Sequence, residues 1–438
     1  MKMIALGIGL GMSLVYPLLA EETLRLRLQP DQDYYLSGSP QEIVLKIDLL
    51  ATDRKRAPKR PPLNLAVVLD RSGSMTGAKI EKARQAAMYL VDRLCPEDIF
   101  SLISYSDRAE VVFSAQEVED KELLKERIAR IHPGGSTALY AGVELGATQV
   151  QKHLTSRRIN RVILLSDGLA NVGPSSPREL RRLGGSLAER GISVTTIGVG
   201  DDYNEDLMAG LAEASDANYY YVKDTEKLPE IFARELGELL TVAAREIRIE
   251  IFCPEGVKPM GFIGRTERFD GQKAVVQLSQ LAAAQDRYLF LRCLKEDGKP
   301  EIARVQVSYI DELNGGTPQT VSQSMRVRFT DDQKLAANSA HPEVSAQKEL
   351  FLAAMAKDAA LADADAGRYQ EAAQKLAREI KTLDLQCQNA PAPLQSQLRQ
   401  EIDNLRSYSS QLQKNQYDSS ARKSLQSESW SVRNSKTR

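Results

Sequence analysis

The sequence predicts an α/β protein in which a mostly parallel β-sheet, with helices on both faces, is combined with an antiparallel β-sandwich and a helical C-terminal segment. Strand and helix patterns alternate over residues 61–242, which is typical of a parallel sheet. The apolar period then changes to two over residues 243–331, and a helical, alanine-rich pattern follows over residues 332–413. A chain of 438 residues is long enough for two or three domains.

The first twenty residues, "MKMIALGIGLGMSLVYPLLA", place Lys2 before a short apolar run that ends at Ala20. This pattern predicts a signal peptide, residues 1–20, and export to the periplasm or the extracellular space. An uncleaved N-terminal membrane anchor is the alternative, because Leu18 is larger than the residue that cleavage sites prefer. No later stretch reaches the roughly 18 consecutive apolar residues of a spanning helix, so we expect no membrane span after signal cleavage.

Residues 21–60 contain two strand patterns, "TLRLRL" and "EIVLKIDLL", followed by the basic, proline-bearing linker "DRKRAPKRPP". We expect these strands to pair with the β-domain of residues 243–331, so that the α/β domain is inserted between the two parts. The alternative is that the two β-pieces are unrelated and that the later one only follows the α/β domain.

Within residues 61–242, the apolar run "NLAVVLD" is typical of a strand buried on both faces. The next helix, over residues 79–94, places its apolar side chains on one face. Two further strands, "IFSLISYS" and "AEVVFSA", are so closely spaced that they indicate a hairpin with an antiparallel edge strand. Three more strands alternate with helices before residue 242, which predicts six strands.

The helical pattern of residues 332–413 predicts a hairpin that turns at Gly367 and that serves packing or self-association. Residues 414–438 are rich in serine and mildly basic, and this composition predicts a disordered tail.

The four cysteines lie far apart and form no C-x-x-C pair of a zinc or redox site. Cys253 and Cys293 lie in strand-like segments of one region and are the favoured pair for a disulfide in an oxidising compartment. Four buried free thiols are the alternative. The near balance of 58 basic and 59 acidic side chains argues against a nucleic-acid partner, which would require a basic surface.

A cation site is predicted at one edge of the sheet. Asp70 ends the first strand of the α/β domain and Asp167 ends the fourth, and ligands of open parallel sheets bind at such ends. Ser72 and Ser74 follow Asp70, while Thr137 lies in a glycine-rich loop that can reach the same edge. Any one of these residues could merely cap a helix, but their joint placement favours a shared site.

Two carboxylates and three hydroxyls, without thiol or imidazole, predict a hard divalent cation: Mg²⁺, with Mn²⁺ or Ca²⁺ as alternatives. Because the hydroxyl ligands are neutral, the metal remains able to accept a further ligand. We expect this ligand to be a carboxylate of a partner protein.

The "DRSGS" motif, the threonine of "GGST" and the aspartate of "SDG" resemble the metal-ion-dependent adhesion site (MIDAS) of von Willebrand factor type A (VWA) domains. The resemblance implies a Rossmann-like fold with six strands, direct metal bonds from Ser72, Ser74 and Thr137, and action of Asp70 and Asp167 largely through water. With "VVLDRSGSM" and "DGLANVG", the chain is similar to bacterial secreted proteins that resemble calcium-activated chloride-channel-like proteins and inter-alpha-trypsin inhibitor heavy chains. No channel activity follows from this resemblance.

Other function classes are less well supported by the sequence. A serine hydrolase would need a G-x-S-x-G turn, and His132 is the only histidine near the predicted site; a metal-dependent hydrolase remains an alternative. "GSMTGAK" lacks the spacing of a phosphate-binding loop, with Ile80 at the hydroxyl position. A chaperone-like partner of an ATPase complex is a further alternative, which the predicted signal peptide disfavours. We therefore expect a non-enzymatic, metal-dependent adhesion or assembly module whose specificity lies in the loops "LANVGPSSP" and "GDDYNED".

Overall fold

The computed structural model describes residues 22–53, 60–295, 300–414 and 417–434. The predicted signal peptide lies outside the described residues, as does most of the basic linker. Among the residues that are described, no helix has both the length and the hydropathy needed to cross a membrane.

The first part of the chain forms strands that belong to a β-sandwich completed much later in the sequence. These strands are β1 (Leu24–Pro30), β2 (Tyr34–Leu36) and β3 (Gln41–Ala51). The later strands are β10 (Val242–Phe252), β11 (Val257–Phe262), β12 (Lys273–Ala282), β13 (Asp286–Lys295), β14 (Glu301–Asp311), β15 (Thr317–Arg326) and β16 (Arg328–Thr330). One sheet has the order β1-β3-β13-β11 and the other β12-β10-β14-β15, while β2 and β16 form a small parallel pair.

Strand β3 is antiparallel to β13, with Gln41 opposite Lys295 and Leu50 opposite Asp286. The alternating pattern of these strands turns one side of each toward the other sheet, where the apolar side chains form a common core. Because β3 is central in its sheet, the N-terminal strands are part of this sandwich and the α/β domain is inserted between β3 and β10.

Cys253 and Cys293 are both buried in the sandwich core, with their sulfur atoms 4.0 Å apart. This distance is about twice the length of a disulfide bond, so the structure contains two neighbouring free thiols. Cys293 lies on β13 and Cys253 follows β10, so these two thiols face each other from opposite sheets.

The inserted domain is a three-layer α/β structure. Its strands are β4 (Leu63–Asp70), β5 (Ile99–Tyr105), β6 (Ala109–Glu117), β7 (Ile159–Ser166), β8 (Ser193–Val199) and β9 (Tyr219–Val222). Its helices are α1 (Ala78–Arg93), α2 (Lys121–Ala129), α3 (Leu139–Gln151), α4 (Pro177–Glu189), α5 (Glu205–Ala214) and α6 (Leu228–Leu240).

The sheet has the order β6-β5-β4-β7-β8-β9, in which only β6 is antiparallel to its neighbour. Every residue of β4 is buried, as the continuous apolar run predicts, since helices cover both faces. The chain leaves β4 toward β5 on one side and reaches β7 on the other, so the strand order reverses at the carboxyl end of β4. The predicted α/β fold class, with six strands and an accompanying antiparallel sandwich, is confirmed.

The inserted domain is joined to the sandwich at two neighbouring points. One residue, Thr241, separates α6 from β10, and Thr52 follows β3. The turn between β12 and β13 binds both, because Ala283 N donates to Thr241 O (2.8 Å) and Ala284 N donates to Thr52 O (3.1 Å). The two connections are therefore held side by side.

The C-terminal part of the chain is helical. Its helices are α7 (Gln333–Ala337), α8 (Pro342–Asp365), α9 (Tyr369–Asn389), α10 (Ala392–Gln413) and α11 (Ser419–Arg433). Helices α8 and α9 form a hairpin that turns at Gly367, whose φ of +76° suits glycine. Phe351 of α8 packs on Phe290 of the sandwich, so the helices lie against the outer face of that sheet.

The prediction of a disordered tail over residues 414–438 is wrong for the described residues of this segment, because they include α11. The basic side chains of α11 find acidic partners on other helices: Arg422 contacts Glu205 and Asp206 of α5, and Lys423 contacts Glu205. Trp430 adds apolar burial against Tyr219 of β9. The serine-rich, basic composition predicted a solvated, disordered segment because the sequence does not show which distant side chains these residues contact.

Replacing Trp430 with alanine is expected to lower the free energy of unfolding by about 3 kcal/mol, since a large buried ring leaves a cavity. Urea denaturation followed by circular dichroism measures this change. Leu385→Ala is the control, because that side chain is 64% exposed and its loss should change stability by less than about 0.5 kcal/mol. Equal stability of the Trp430 variant and the wild type would contradict the packing of α11.

The stability of the helical segment is expected to fall as the pH rises from 5 to 8. Burial and the negative charges of Glu349 and Glu401 raise the pKa of Glu379 on α9 to about 7. Between the ordinary pKa of 4.5 and this value, the folded chain keeps a proton that the unfolded chain has lost, so lowering the pH favours folding. Glu379→Gln should be more stable than the wild type at pH 8 and show a weaker pH dependence in urea denaturation. An unchanged pH dependence would refute this assignment.

Candidate metal centre

Asp70 forms the base of the predicted site. It is the last residue of β4, and its carboxylate is fully buried. Its Oδ1 accepts a hydrogen bond from Ser72 N (2.8 Å) and its Oδ2 accepts one from Ser166 Oγ (2.8 Å). The carboxylate therefore links the end of β4 to the end of β7 and to the turn that follows β4.

This turn brings two hydroxyl groups together. Residues Gly73–Met75 form one turn of 3₁₀-helix, and Ser72 Oγ lies 3.0 Å from Ser74 Oγ. Gly73 N donates to Gly135 O (3.0 Å), so the turn rests on the glycine-rich loop.

The glycine-rich loop is fixed on both sides of Thr137. Ser136 N donates to Asp107 Oδ1 (2.9 Å), and Thr137 N donates to Asn171 Oδ1 (2.8 Å). The hydrogen bonds from Ser136 lower the pKa of Asp107 below its usual range. Gly135 has a φ of +86° and its Cα faces Asp107, where a larger residue would collide with the carboxylate. These contacts orient Thr137 toward the edge of the sheet.

Asp167 supplies the second buried carboxylate. Its Oδ1 accepts a hydrogen bond from Ser74 Oγ (2.7 Å), and its Oδ2 accepts one from Lys79 Nζ (2.6 Å). The hydrogen bonds thus run from Ser72 through Ser74 to Asp167 and Lys79. His132, by contrast, has an exposed side chain.

The three hydroxyls surround a small space next to Gly168. A Cβ atom at this glycine would lie 3.2 Å from Ser74 Oγ, 3.3 Å from Thr137 Oγ1 and 3.9 Å from Ser72 Oγ. Glycine leaves this space open to a group that accepts three oxygen ligands. The donor set and the convergence of the hydroxyls therefore fit a hard divalent cation.

The buried carboxylates create a strongly polar environment. Burial raises the pKa of Asp70, against the hydrogen bonds from Ser72 and Ser166 that lower it, and the negative charge of Asp167 raises it further. Burial and the charge of Asp70 also raise the pKa of Tyr105 well above its usual value. Tyr105 is therefore protonated and donates to Leu165 O (3.1 Å).

The structure brings all five predicted residues to one edge of the sheet, and it adds four that sequence reasoning did not single out. These are Asp107, Ser166 and Asn171, which orient the predicted residues, and Lys79, which pairs with Asp167. Lys79 lies in the first turn of α1, and this position after the "DRSGS" motif was the only sequence signal. In the described parts of the chain, no group of three or more His, Cys, Asp or Glu side chains has a metal-binding arrangement.

Residues 64–234 match the profile of the von Willebrand factor type A domain. The inserted α/β domain, which we refer to as the type A domain, is similar to this family over that range. All five predicted metal residues lie within its bounds. Type A domains are commonly metal-dependent protein-interaction modules.

Relatives share this domain and part of its surroundings. An uncharacterized protein of Synechocystis is 28% identical over 292 residues, which cover 64% of this chain and 68% of the relative. Protein YfbK of Escherichia coli is 29% identical over 241 residues, or 54% of this chain and 42% of YfbK. Inter-alpha-trypsin inhibitor heavy chain H4 of Homo sapiens is 30% identical over 161 residues, which cover 34% of this chain and 17% of the heavy chain. The chain spans less than half the length of the last two proteins.

Two solved structures share the fold over most of the chain. A von Willebrand factor type A protein from Catenulispora acidiphila has a TM-score of 0.71 at 18% identity, covering 90% of this chain and 91% of that one. The ArnB paralog VWA2 from Sulfolobus acidocaldarius has a TM-score of 0.64 at 17% identity, covering 95% and 100%. The likeness therefore extends beyond the type A domain to the sandwich and helices.

Gly168→Ala is expected to weaken Mg²⁺ binding about tenfold or more, because the new methyl group would enter the space between the hydroxyls at an overpacking cost of about 1–3 kcal/mol. Calorimetric titration with MgCl₂ measures the affinity. Gly237→Ala is the matched control, since a Cβ at this position in α6 meets no atom within 4 Å. Unchanged Mg²⁺ affinity in Gly168→Ala would exclude this space as the metal position.

Proposed function

We propose that the protein is an exported, metal-dependent protein-binding module. Its type A domain holds Mg²⁺ with Asp70, Ser72, Ser74, Thr137 and Asp167, and the bound metal docks an acidic group of a partner protein. The observation that carries this proposal is the convergence of three hydroxyl oxygens around the space at Gly168, next to two buried carboxylates.

The chemistry of the donors supports a hard divalent cation. Hydroxyl and carboxylate oxygens suit Mg²⁺ and Mn²⁺, and also Ca²⁺ where the ligand shell is larger. The metal would supply a Lewis-acidic position that accepts an anionic oxygen. Asp70, already bound to Ser72 N and Ser166, would fix the positions of the surrounding groups and lower the cost of holding the cation.

The surroundings of the site support a protein as the partner. The loop that follows Gly168 exposes two apolar side chains, Leu169 (59%) and Val172 (36%), beside a polar site. A bound protein would bury these two side chains, and apolar side chains form the core of protein interfaces. The loop "LANVGPSSP" therefore offers contacts for specificity, whereas Asp201 of the loop "GDDYNED" is already bonded to Tyr221 and Ser419.

The contacts of the two carboxylates suit the positioning of a metal shell. Each oxygen of Asp70 and Asp167 already accepts a hydrogen bond within the domain. These bonds fix the positions of the two carboxylates, and a further lone pair on each oxygen remains for a water molecule of a metal shell.

Thr137→Ala is expected to weaken Mg²⁺ binding at least about tenfold, because it removes one direct oxygen ligand from a site with few protein ligands. Calorimetric titration compares it with the wild type and with Thr148→Ala. Thr148 is the control, since its exposed hydroxyl donates to Glu144 O of its own helix.

The wild type should also retain a partner from a cell-envelope extract in the presence of Mg²⁺ and release it with a chelator, and acetate should compete. Absence of Mg²⁺ binding in the wild type, or unchanged binding in Thr137→Ala, would overturn the proposed site. Retention that survives the chelator would overturn metal-dependent docking.

A further inference from the structure

Lys79 places a positive charge inside the ring of residues around the candidate metal centre. Its side chain extends from the first turn of α1, and its Nζ lies 2.6 Å from Asp167 Oδ2. The lysine side chain is 24% exposed, while that of Asp167 is fully buried. The ion pair therefore lies at the boundary between the buried carboxylates and solvent.

The surroundings restrict where this ammonium can go. A Cβ at Gly200, just beyond β8, would lie 3.6 Å from Lys79 Nζ, so the backbone of the next loop lies close on that side. This loop is itself held, because Tyr221 donates to Asp201 Oδ1 and Ser419 of α11 donates to Asp201 O. The ammonium is thus confined beside Asp167 by a loop that α11 fastens.

Three residues set the formal charge of the site: Asp70, Asp167 and Lys79. Counted as ions, the carboxylates of Asp70 and Asp167 and the ammonium of Lys79 give a formal charge of −1, which a divalent cation converts to +1. Without Lys79, the corresponding charges would be −2 and 0. The lysine therefore opposes the metal but leaves the metal-loaded site positively charged.

We propose that Lys79 sets the balance of this site between metal affinity and ligand affinity. It weakens the binding of the divalent cation, and it strengthens the binding of a carboxylate to the loaded site, because the loaded site then carries a net positive charge. This inference rests on the proposed function, since it assigns Lys79 a role toward the same metal and the same acidic partner group.

The same ion pair gives one of the two buried carboxylates a counter-charge within the folded domain. A buried carboxylate that lacks a partner is costly, and Lys79 provides a cation to Asp167 within the folded domain. Lys79 thus provides part of the charge compensation that a bound cation would also provide, and a metal that binds the folded domain would add stability by mass action.

The test compares Lys79→Met and Lys79→Gln with the wild type, the second variant retaining a hydrogen-bonding group if the first does not fold. Calorimetric titration with MnCl₂ and MgCl₂ should give a metal dissociation constant at least about tenfold lower in both neutral variants, because a like charge has left the site. Thermal denaturation should show a lower melting temperature without metal and a larger increase on metal addition.

Two control variants distinguish the effect of the charge of Lys79 from the effect of a changed helix structure. Lys79→Arg keeps the positive charge and should bind the metal about as the wild type does. Lys82→Met removes a lysine of equal exposure (23%) from the same helix, where it pairs with the exposed Glu226, and should leave metal affinity unchanged.

Acetate is the probe for the ligand. Broadening of its methyl proton signal by bound Mn²⁺ measures how acetate binds the loaded site, and the neutral variants should bind it at least about threefold more weakly than the wild type. The opposite changes in metal and acetate affinity are the signature of the proposal.

Metal affinity that is equal or weaker in both neutral variants, with normal binding by the wild type, would overturn the role of Lys79 and leave the proposed function intact. Acetate affinity that does not fall would also overturn it. A wild type that binds neither Mn²⁺ nor Mg²⁺ would instead overturn the proposed function and this inference with it.

Discussion

The buried carboxylate of Asp70 is the constraint on which the geometry of the site depends. A charge at the end of a strand that is covered on both faces must have hydrogen-bond donors, and it obtains them from the backbone of Ser72 and the hydroxyl of Ser166. The bond from Ser166 joins the neighbouring strands β4 and β7 at their carboxyl ends, and the bond from Ser72 fixes the turn after β4. The turn that carries Ser72 and Ser74 is thereby positioned against the loop of Thr137 and against Asp167.

The order of elements could be predicted from the sequence because each signal is local. The apolar run before Asp70 and the short "DR" connection between β5 and β6 indicate a buried strand and an antiparallel edge without knowledge of the rest of the chain. The five candidate metal residues could also be predicted from the sequence, since the ends of parallel strands meet at one edge of the sheet. The family resemblance is confirmed, whereas the metal role of these residues remains a prediction.

What the sequence did not reveal depends on partners that are distant along the chain. Lys79 is an ordinary helical lysine until the position of Asp167, 88 residues later, is known. Gly168 is an ordinary turn glycine until three hydroxyls are placed around it. Helix α11 has the composition of a solvated tail, and its order follows from acidic side chains on α5, more than 200 residues earlier. Local sequence patterns do not predict such contacts between residues that are far apart in the chain.

The two side-by-side connections between the type A domain and the sandwich bear on mechanics. Thr52 leads back into β3 and Thr241 leads on into β10, and these strands are central members of opposite sheets. A tensile force applied to the type A domain would therefore be divided between two backbone paths rather than carried by one. Each path ends in a strand with hydrogen-bonded neighbours on both sides. Pulling such a strand out of its sheet would require shearing the backbone hydrogen bonds to both neighbouring strands. Two neighbouring attachments also restrict rotation of the type A domain relative to the sandwich.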